Sequence, residues 1–255
     1  MQSLRRLLEI VDGGGIAVLA TVAAAAGSAP RREGARMVIT AAGADTGTVG
    51  GGEVEAAALA AAREMLAGGP AVRRLEMPTN CGGMVTVMLE RFAPPRRLLV
   101  VGAGHVGTAL AAAAAAAGYL VAVASPSGGG EAVTGVEAIR ADDPSVLERR
   151  PEQVSTHVVV ATGDAAVDAT WAVAALARGY ASVGVVGSRK KADAIRRDAA
   201  AAGIGAARIA SLRCPVGLDL GAVTPAEIAV AIVAELIRLD RAGEVPEAWR
   251  RVSRG

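Results

Sequence analysis

The hydrophobic pattern of this chain changes character once, near Ala93-Pro94-Pro95. Before that point the apolar runs are short and mixed. Residues 2–12 predict a short helix, and the apolar, partly β-branched run Ile16–Ala23 predicts a strand. The turn-prone GSAP at 27–30 leads to a second strand over Arg36–Thr40. Thr48–Gly52 is a further turn, and Glu53–Leu66 is a helix with alanines and leucines on its buried face. Residues 71–77 and 84–91 read as strands flanking the turn TNCGG. Residues 1–95 therefore form a small α+β domain, closed by the proline linker.

From Arg96 onward strands and helices alternate. Strand Leu98–Val101 is followed by helix Val106–Ala117 and strand Leu120–Ala124, then by a weaker region containing VEAIR and ADDP. Strand His157–Ala161, helix Ala165–Arg178, strand Ser182–Val186, helix Lys190–Ala201 and a last helix Pro225–Arg241 complete the pattern. Repeated strand–helix units predict a mostly parallel sheet covered on both faces, occupying residues 96–255. The tail after Gly243 is expected to be loosely attached.

Composition narrows the function. The 27 basic residues nearly balance the 25 acidic ones, which argues against a nucleic-acid partner. Hydrophobic residues make up 52% of the chain but aromatics only 2%, because alanine dominates. The most apolar helical stretch, Val106–Leu120, falls short of the roughly 20 residues a membrane span needs, so no stable membrane insertion is expected. The start MQSLRRLLEIVDGGG lacks the apolar core of a signal peptide, and two distant cysteines, Cys81 and Cys214, read as free thiols. The expectation is a cytoplasmic protein.

Candidate chemistry concentrates in two blocks. In the second half, Gly102-x-Gly104-x-x-Gly107 follows four apolar strand residues and opens a helix. Gly102 permits the sharp turn, Gly104 lets backbone approach a pyrophosphate, and Gly107 lets the helix pack close to the sheet. This predicts a Rossmann-like unit whose helix start offers N–H groups to a phosphate. The acidic residue that commonly ends the second strand is missing, since that strand runs into Ser125-Pro126-Ser127. That counts against ordinary NAD use, and no arginine follows to favour NADP. His105, inside the turn, can face a ligand or serve the helix start. Gly187 and Ser188 end a strand where Arg189, Lys190 and Lys191 begin a helix, placing positive charge at the carboxyl edge of the sheet.

In the first half, GSAPRREGAR sets Arg31, Arg32 and Arg36 around a turn, and guanidinium groups there can take phosphate or carboxylate. Gly50-Gly51-Gly52, followed by Glu53 and Glu55, leaves backbone N–H groups able to cradle an oxyanion. Cys81 precedes Gly82-Gly83, so small residues flank a thiol that is either a reactive group or a small buried hydrophobe. With two cysteines and two histidines in the chain, no all-protein metal site is expected.

These pieces together resemble the XdhC/CoxI family, accessory proteins of molybdenum hydroxylases such as xanthine dehydrogenase and aerobic carbon monoxide dehydrogenase. The resemblance lies in LATVAAAAGSAPRREGARMVI (19–39), GTVGGGEVEAAALAAA (47–62) and NCGGMVTVMLE (80–90). It continues in LLVVGAGHVGTALAAAAAAAGY (98–119), VVVATGDAAVDATWAVAAL (158–176), SVGVVGSRKKADAIRRDAAAAGI (182–204) and CPVGLDLGAVTPAEIAVAIVAEL (214–236). It implies a two-domain protein that binds newly made molybdenum cofactor, as molybdopterin or its dinucleotide form. Such a protein assists terminal sulfuration of the cofactor and passes it to an apo molybdenum hydroxylase, with a cysteine desulfurase as further partner and a homodimer as assembly.

On that resemblance, Cys81 handles the cofactor and acts as the catalytic group. Gly50, Gly51, Gly52 and Glu53, with Gly102, Gly104, His105, Gly107, Gly187, Ser188 and Arg189, fall on its binding signatures. Asp168, Lys191, Thr224, Pro225 and Glu227 also match family positions. Gly163-Asp164 stands where the family often has His-Asp. The other readings of the same motifs are an NAD(P)-dependent oxidoreductase and a non-catalytic protein-binding scaffold.

Overall fold

The computed structural model describes residues 1–28, 31–80, 82–126, 133–149 and 155–250. The chain divides into two compact units, Met1–Pro94 and Pro95–Gly255.

The first unit begins with helix α1 (Gln2–Asp12) and continues through strands β1 (Ala17–Ala26), β2 (Arg36–Thr40) and β3 (Gly43–Gly47). Helix α2 (Gly52–Leu66) and strands β4 (Val72–Pro78) and β5 (Met84–Phe92) follow. The strands make one antiparallel sheet in the order β3-β2-β1-β5-β4. Alternation decides which side chain goes where, because successive residues of a strand point to opposite faces. Val18, Ala20 and Val22 of β1 pack with Met37 and Ile39 of β2 against Val54, Ala58, Ala62 and Met65 of α2. The intervening Ala17, Leu19 and Val38 meet Leu7 of α1 on the other face. β1 runs past Ala23 to Ala26, its pairing with β5 continuing through a bulge between Val22 and Ala24. β3 was not expected, since GADTG carries no apolar alternation; it forms because β2 folds straight back on itself.

The second unit is an α/β Rossmann-type fold, as its alternating pattern implies. Its strands are β6 (Arg97–Val101), β7 (Leu120–Ser125), β8 (Val136–Arg140), β9 (Thr156–Val160) and β10 (Ser182–Val185). All pair in parallel, in the order β10-β9-β6-β7-β8. Helices α3 (His105–Ala116), α4 (Ala165–Arg178), α5 (Arg189–Ala201), α6 (Ala206–Ala210) and α7 (Pro225–Ala242) surround the sheet, with a 3-10 turn at Pro144–Arg149. Leu110, Ala111 and Ala114 of α3 and Ile232 and Leu236 of α7 cover one face; Trp171, Ala172 and Ala175 of α4 with Ile195 of α5 cover the other. Interior strand β9 is buried along its whole length, which explains its unbroken apolar run. The VEAIR segment is strand β8, at the sheet's edge, where its exposed Glu137 hides the strand from a hydrophobic reading. The chain lays β7 and β8 outward from β6, then returns to put β9 on β6's other side. This makes the β6/β9 junction the topological switch point, where ligands of such sheets bind.

The amino-terminal edge of this sheet is held by a polar chain in which His157, Ser182 and Tyr119 are buried. His157 Nε2 lies 2.8 Å from Asp240 Oδ1 near the end of α7, and its Nδ1 lies 2.7 Å from Ser182 Oγ. Nε2 donates to the carboxylate, which can only accept, and the ring bridges it to the Ser182 hydroxyl. The Tyr119 hydroxyl also donates to Asp240, and the Arg96 guanidinium sits 5.0 Å above the Tyr119 ring. Burial disfavours the Asp240 carboxylate, but the hydrogen bonds from His157 and Tyr119 outweigh it and hold the carboxyl below its ordinary value. Replacing Asp240 by Asn leaves one acceptor for two buried donors and is expected to cost about 1–3 kcal/mol. Because the folded value is lowered, the wild-type advantage is complete above the unfolded value, about pH 4, and shrinks as pH falls through the folded one. Urea denaturation of both proteins across pH 2.5–7 measures it; a gap that does not narrow in acid would contradict this account.

Candidate functional site

At the carboxyl edge of the parallel sheet the three glycines of the first βα turn have separate physical reasons. Gly102 has φ +108, and a Cβ there would lie 2.6 Å from the Ala161 carbonyl oxygen. At Gly107 a Cβ would fall 1.9 Å from the Gly102 oxygen, so α3 leaves the turn in direct backbone contact with it. Gly104 is different: its φ of −72 suits any residue, and nothing lies within 4 Å of an added Cβ. Gly104 is also the N-cap of α3 and supplies no side-chain cap, so the helix start presents its N–H groups to open space.

A cavity of about 390 Å³ opens beside this turn. Gly102 and Gly104, Ser125 and Pro126 after β7, Asp142 after β8, and Trp171 of α4 are among its lining residues. His105 is the exposed first residue of α3 and is not on that lining. Asp142 was not singled out by sequence reasoning. The signal was ADDP itself, but without β8 assigned nothing placed it beside the turn.

Gly187, Ser188 and Arg189 follow β10 and do not line the cavity. Ser188 caps α5, its hydroxyl oxygen accepting from the Lys191 N–H at 3.4 Å. Arg189 and Lys190 are exposed. Lys191 turns inward: its Nζ donates to Asp168 Oδ2 at 2.6 Å and to the Val186 carbonyl at 3.2 Å. Asp168 is fully buried and also accepts from the N–H and the hydroxyl of Thr162, at 3.1 and 2.6 Å. One of the three cations is thus neutralised within the fold rather than offered to a ligand. Cys214 is buried beside this cluster, and burial pushes its thiol up to about 11, leaving it protonated and unreactive at neutral pH.

In the first unit, one end of the antiparallel sheet gathers the loops that carry the sequence motifs. A cavity of about 230 Å³ is lined by Gly50, Gly51, Gly52 and Glu53 on one side and Pro78, Thr79 and Asn80 on the other. Gly51 and Gly52 have φ of +72 and +56 with open space where a Cβ would be, and Gly51 caps α2 without a side chain. The loop ahead of α2 is braced by the Thr48 hydroxyl, which accepts from Gly50 N–H at 3.2 Å and donates to Glu55. Thr79 pins the neighbouring turn. Its hydroxyl donates to the Ser28 carbonyl at 2.9 Å and accepts from Gly83 N–H at 3.0 Å. Gly83 fits only without a Cβ, which would come within 2.5 Å of the Ala26 oxygen. Gly27 and Ser28 of the first motif and Gly82 and Gly83 of the second therefore meet in one backbone contact. Arg31 is exposed and Arg36 half-buried at the start of β2, and neither lines this cavity. Cys81 lies outside the described residues. Among the described residues no cluster of three His, Cys, Asp or Glu could hold a metal ion, and no helix is long and apolar enough to cross a membrane.

The architecture is thus a small antiparallel unit with a glycine-lined cleft and a Rossmann unit with a nucleotide-type crevice. Residues 98–236 match the XdhC Rossmann domain, and residues 11–76 match the XdhC and CoxI family. The chain belongs to the XdhC and CoxI family. It is 30% identical over 229 residues to an uncharacterised protein, YqeB, of Escherichia coli K12, covering 82% of this chain and 41% of that protein. The chain therefore spans well under half the length of that relative. A solved structure from Bacillus halodurans, described as a xanthine dehydrogenase, shares the fold with a TM-score of 0.51 at 19% identity. That likeness covers 97% of this chain and 99% of that one.

Two outcomes follow from the geometry. Gly107→Ala is expected to lower the melting temperature by many degrees or prevent folding, whereas Gly104→Ala melts like the wild type; equal melting curves would refute the close-contact reading of α3. Lys191→Met leaves the buried Asp168 charge without its cation and is expected to destabilise by about 3 kcal/mol. The double variant Asp168→Asn/Lys191→Met should recover much of that loss, and denaturation in guanidinium reports both.

Proposed function

We propose that this chain is an accessory protein of a molybdenum hydroxylase, of the xanthine dehydrogenase or carbon monoxide dehydrogenase type. Its cargo is the molybdenum cofactor, as molybdopterin or its dinucleotide form. It assists sulfuration of that cargo and its insertion into the apo-hydroxylase. The observation that carries this reading is the open cradle at Gly104, set at the carboxyl edge of a Rossmann unit in a chain that matches the family in both of its units. A phosphate of the cargo has N–H donors at the start of α3 and room for close approach. The α2 start beside Gly50, Gly51 and Gly52 offers a second set of such donors, with Glu53 at its margin.

In this reading the thiol of Cys81 is the soft group directed at sulfur or molybdenum, an apo molybdenum hydroxylase is the recipient, and a cysteine desulfurase is the sulfur source. The chain works as a homodimer in the cytoplasm. The test is anaerobic purification from cells that also make the cofactor, followed by metal and pterin analysis. Molybdenum and pterin retained near one per chain are expected; protein free of both, from cells whose co-expressed hydroxylase is loaded, would refute the proposal. Cys81→Ser is expected to give protein with unchanged circular dichroism that transfers little active cofactor, since an alcohol is a far weaker nucleophile and metal ligand than a thiolate. Full hydroxylase activation by that variant would remove Cys81 from the chemistry.

A further inference from the structure

The cavity beside the Gly102–Gly104 turn has a polarity that the family assignment does not explain. Its walls are apolar, with Val101, Ala124, Val167 and Trp171 in them, and the described residues on its lining include no cation. Among the described lining residues the one ionisable group is Asp142. Its carboxylate is exposed and has no hydrogen-bond or ion-pair partner among the described residues, whereas the adjacent Asp143 accepts from the Ser145 N–H at 2.7 Å at the start of the 3-10 turn. An ionised carboxylate only accepts hydrogen bonds, so it complements a ligand that brings donors.

In dinucleotide sites an acid at the end of the second strand accepts from the ribose hydroxyls. Here β7 ends in Ser125-Pro126, but the neighbouring strand β8 delivers Asp142 to the same cavity. We propose that this cavity is a nucleoside site in which Asp142, supplied from β8, takes the place of the missing acid and reads a free ribose 2′,3′-diol. The 5′-diphosphate of the ligand lies along the Gly102–Gly104 turn. At about 390 Å³ the cavity falls within the range of small-molecule sites. A 2′-phosphate would bring negative charge against Asp142 with no cation among the described lining residues to offset it, so the site rejects nucleotides of the NADP type. This inference rests on the phosphate-turn part of the proposed function but not on molybdenum. The ligand is the nucleotide half of a dinucleotide pterin or an adenine coenzyme, which share the diol and the diphosphate.

Calorimetric titration of the full chain with ADP, CDP, 2′-deoxy-ADP and 2′-phospho-ADP tests it. The wild type is expected to bind ADP or CDP at least about tenfold more tightly than the same base without the diol or with the 2′-phosphate, the size of a hydrogen bond to a charged group. Asp142→Asn, at an exposed position, should fold normally and lose most of that preference, and Asp142→Lys should turn it toward the 2′-phosphate. Tighter CDP identifies the pterin nucleotide as the source, and tighter ADP the coenzyme. A preference unchanged in Asp142→Asn, a wild type that favours the 2′-phosphate, or no binding of any of the four at millimolar concentration would overturn the proposal. Nucleotide binding without pterin retention would leave this site standing and remove the molybdenum reading; pterin retention without diol preference would do the reverse.

Discussion

The contact on which the second unit depends is the one between the backbone oxygen of Gly102 and the α-carbon of Gly107. No side chain fits between them. With α3 this close to β6, Leu110, Ala111 and Ala114 reach the sheet, and α7 closes over the same layer. The price of that closeness is a turn built from backbone alone, and the start of α3 is left without a side-chain cap. Close packing and an open helix start are here two results of one steric demand. Gly104 shows the separation: it answers no packing need, and space lies in front of it.

The first unit uses the same device differently. There the close contact is between loops, Gly83 lying against the backbone of Ala26 and Ser28, with Thr79 tying both strands of the contact together. Sequence motifs separated by some fifty positions are thus one structural object. Their glycines answer to each other before they answer to any ligand, whereas Gly51 and Gly52 face open space at the start of α2.

Much of the fold was legible because its strands are buried on both faces. Leu98–Val101 and Val158–Val160 read as strands from composition alone, and a glycine turn marks where the first of them ends. What was illegible lies at edges. β8 exposes three of its five residues and β3 is mostly glycine and polar residues, so neither leaves a hydrophobic trace; both exist through pairing with a stronger neighbour. The consequence for the site was direct. Without β8, Asp142 had no position, and the carboxyl edge was read as lacking an acid. Lys191 was misjudged for a related reason: its partner Asp168 lies on another helix, and only the packing of α4 against α5 brings them together. Pattern reveals which residues face a core, but not which charges a core has already consumed.

Helix α7 is fastened at three heights. Thr224 and Glu227 form a capping box at its start, Glu235 is buried in its middle against Arg213 and the Gly217 N–H, and Asp240 grips His157 near its end. The capping box is local to the helix start, whereas the other two reach outward, Glu235 to Arg213 and the Gly217 N–H and Asp240 to His157 and Tyr119, so the middle and the end of the helix are each tied to the rest of the unit. The segment after α7 is docked as well, the Trp249 carbonyl accepting from the Asp219 N–H at 2.9 Å and Arg250 pairing with Leu218, so a pull from that side meets these contacts first and the Asp240 clasp next; releasing the clasp would strip the outer layer from β6 and β9 together. A force applied beyond Arg250 therefore reaches the sheet in two stages, through the docked Trp249 and Arg250 and then through Asp240.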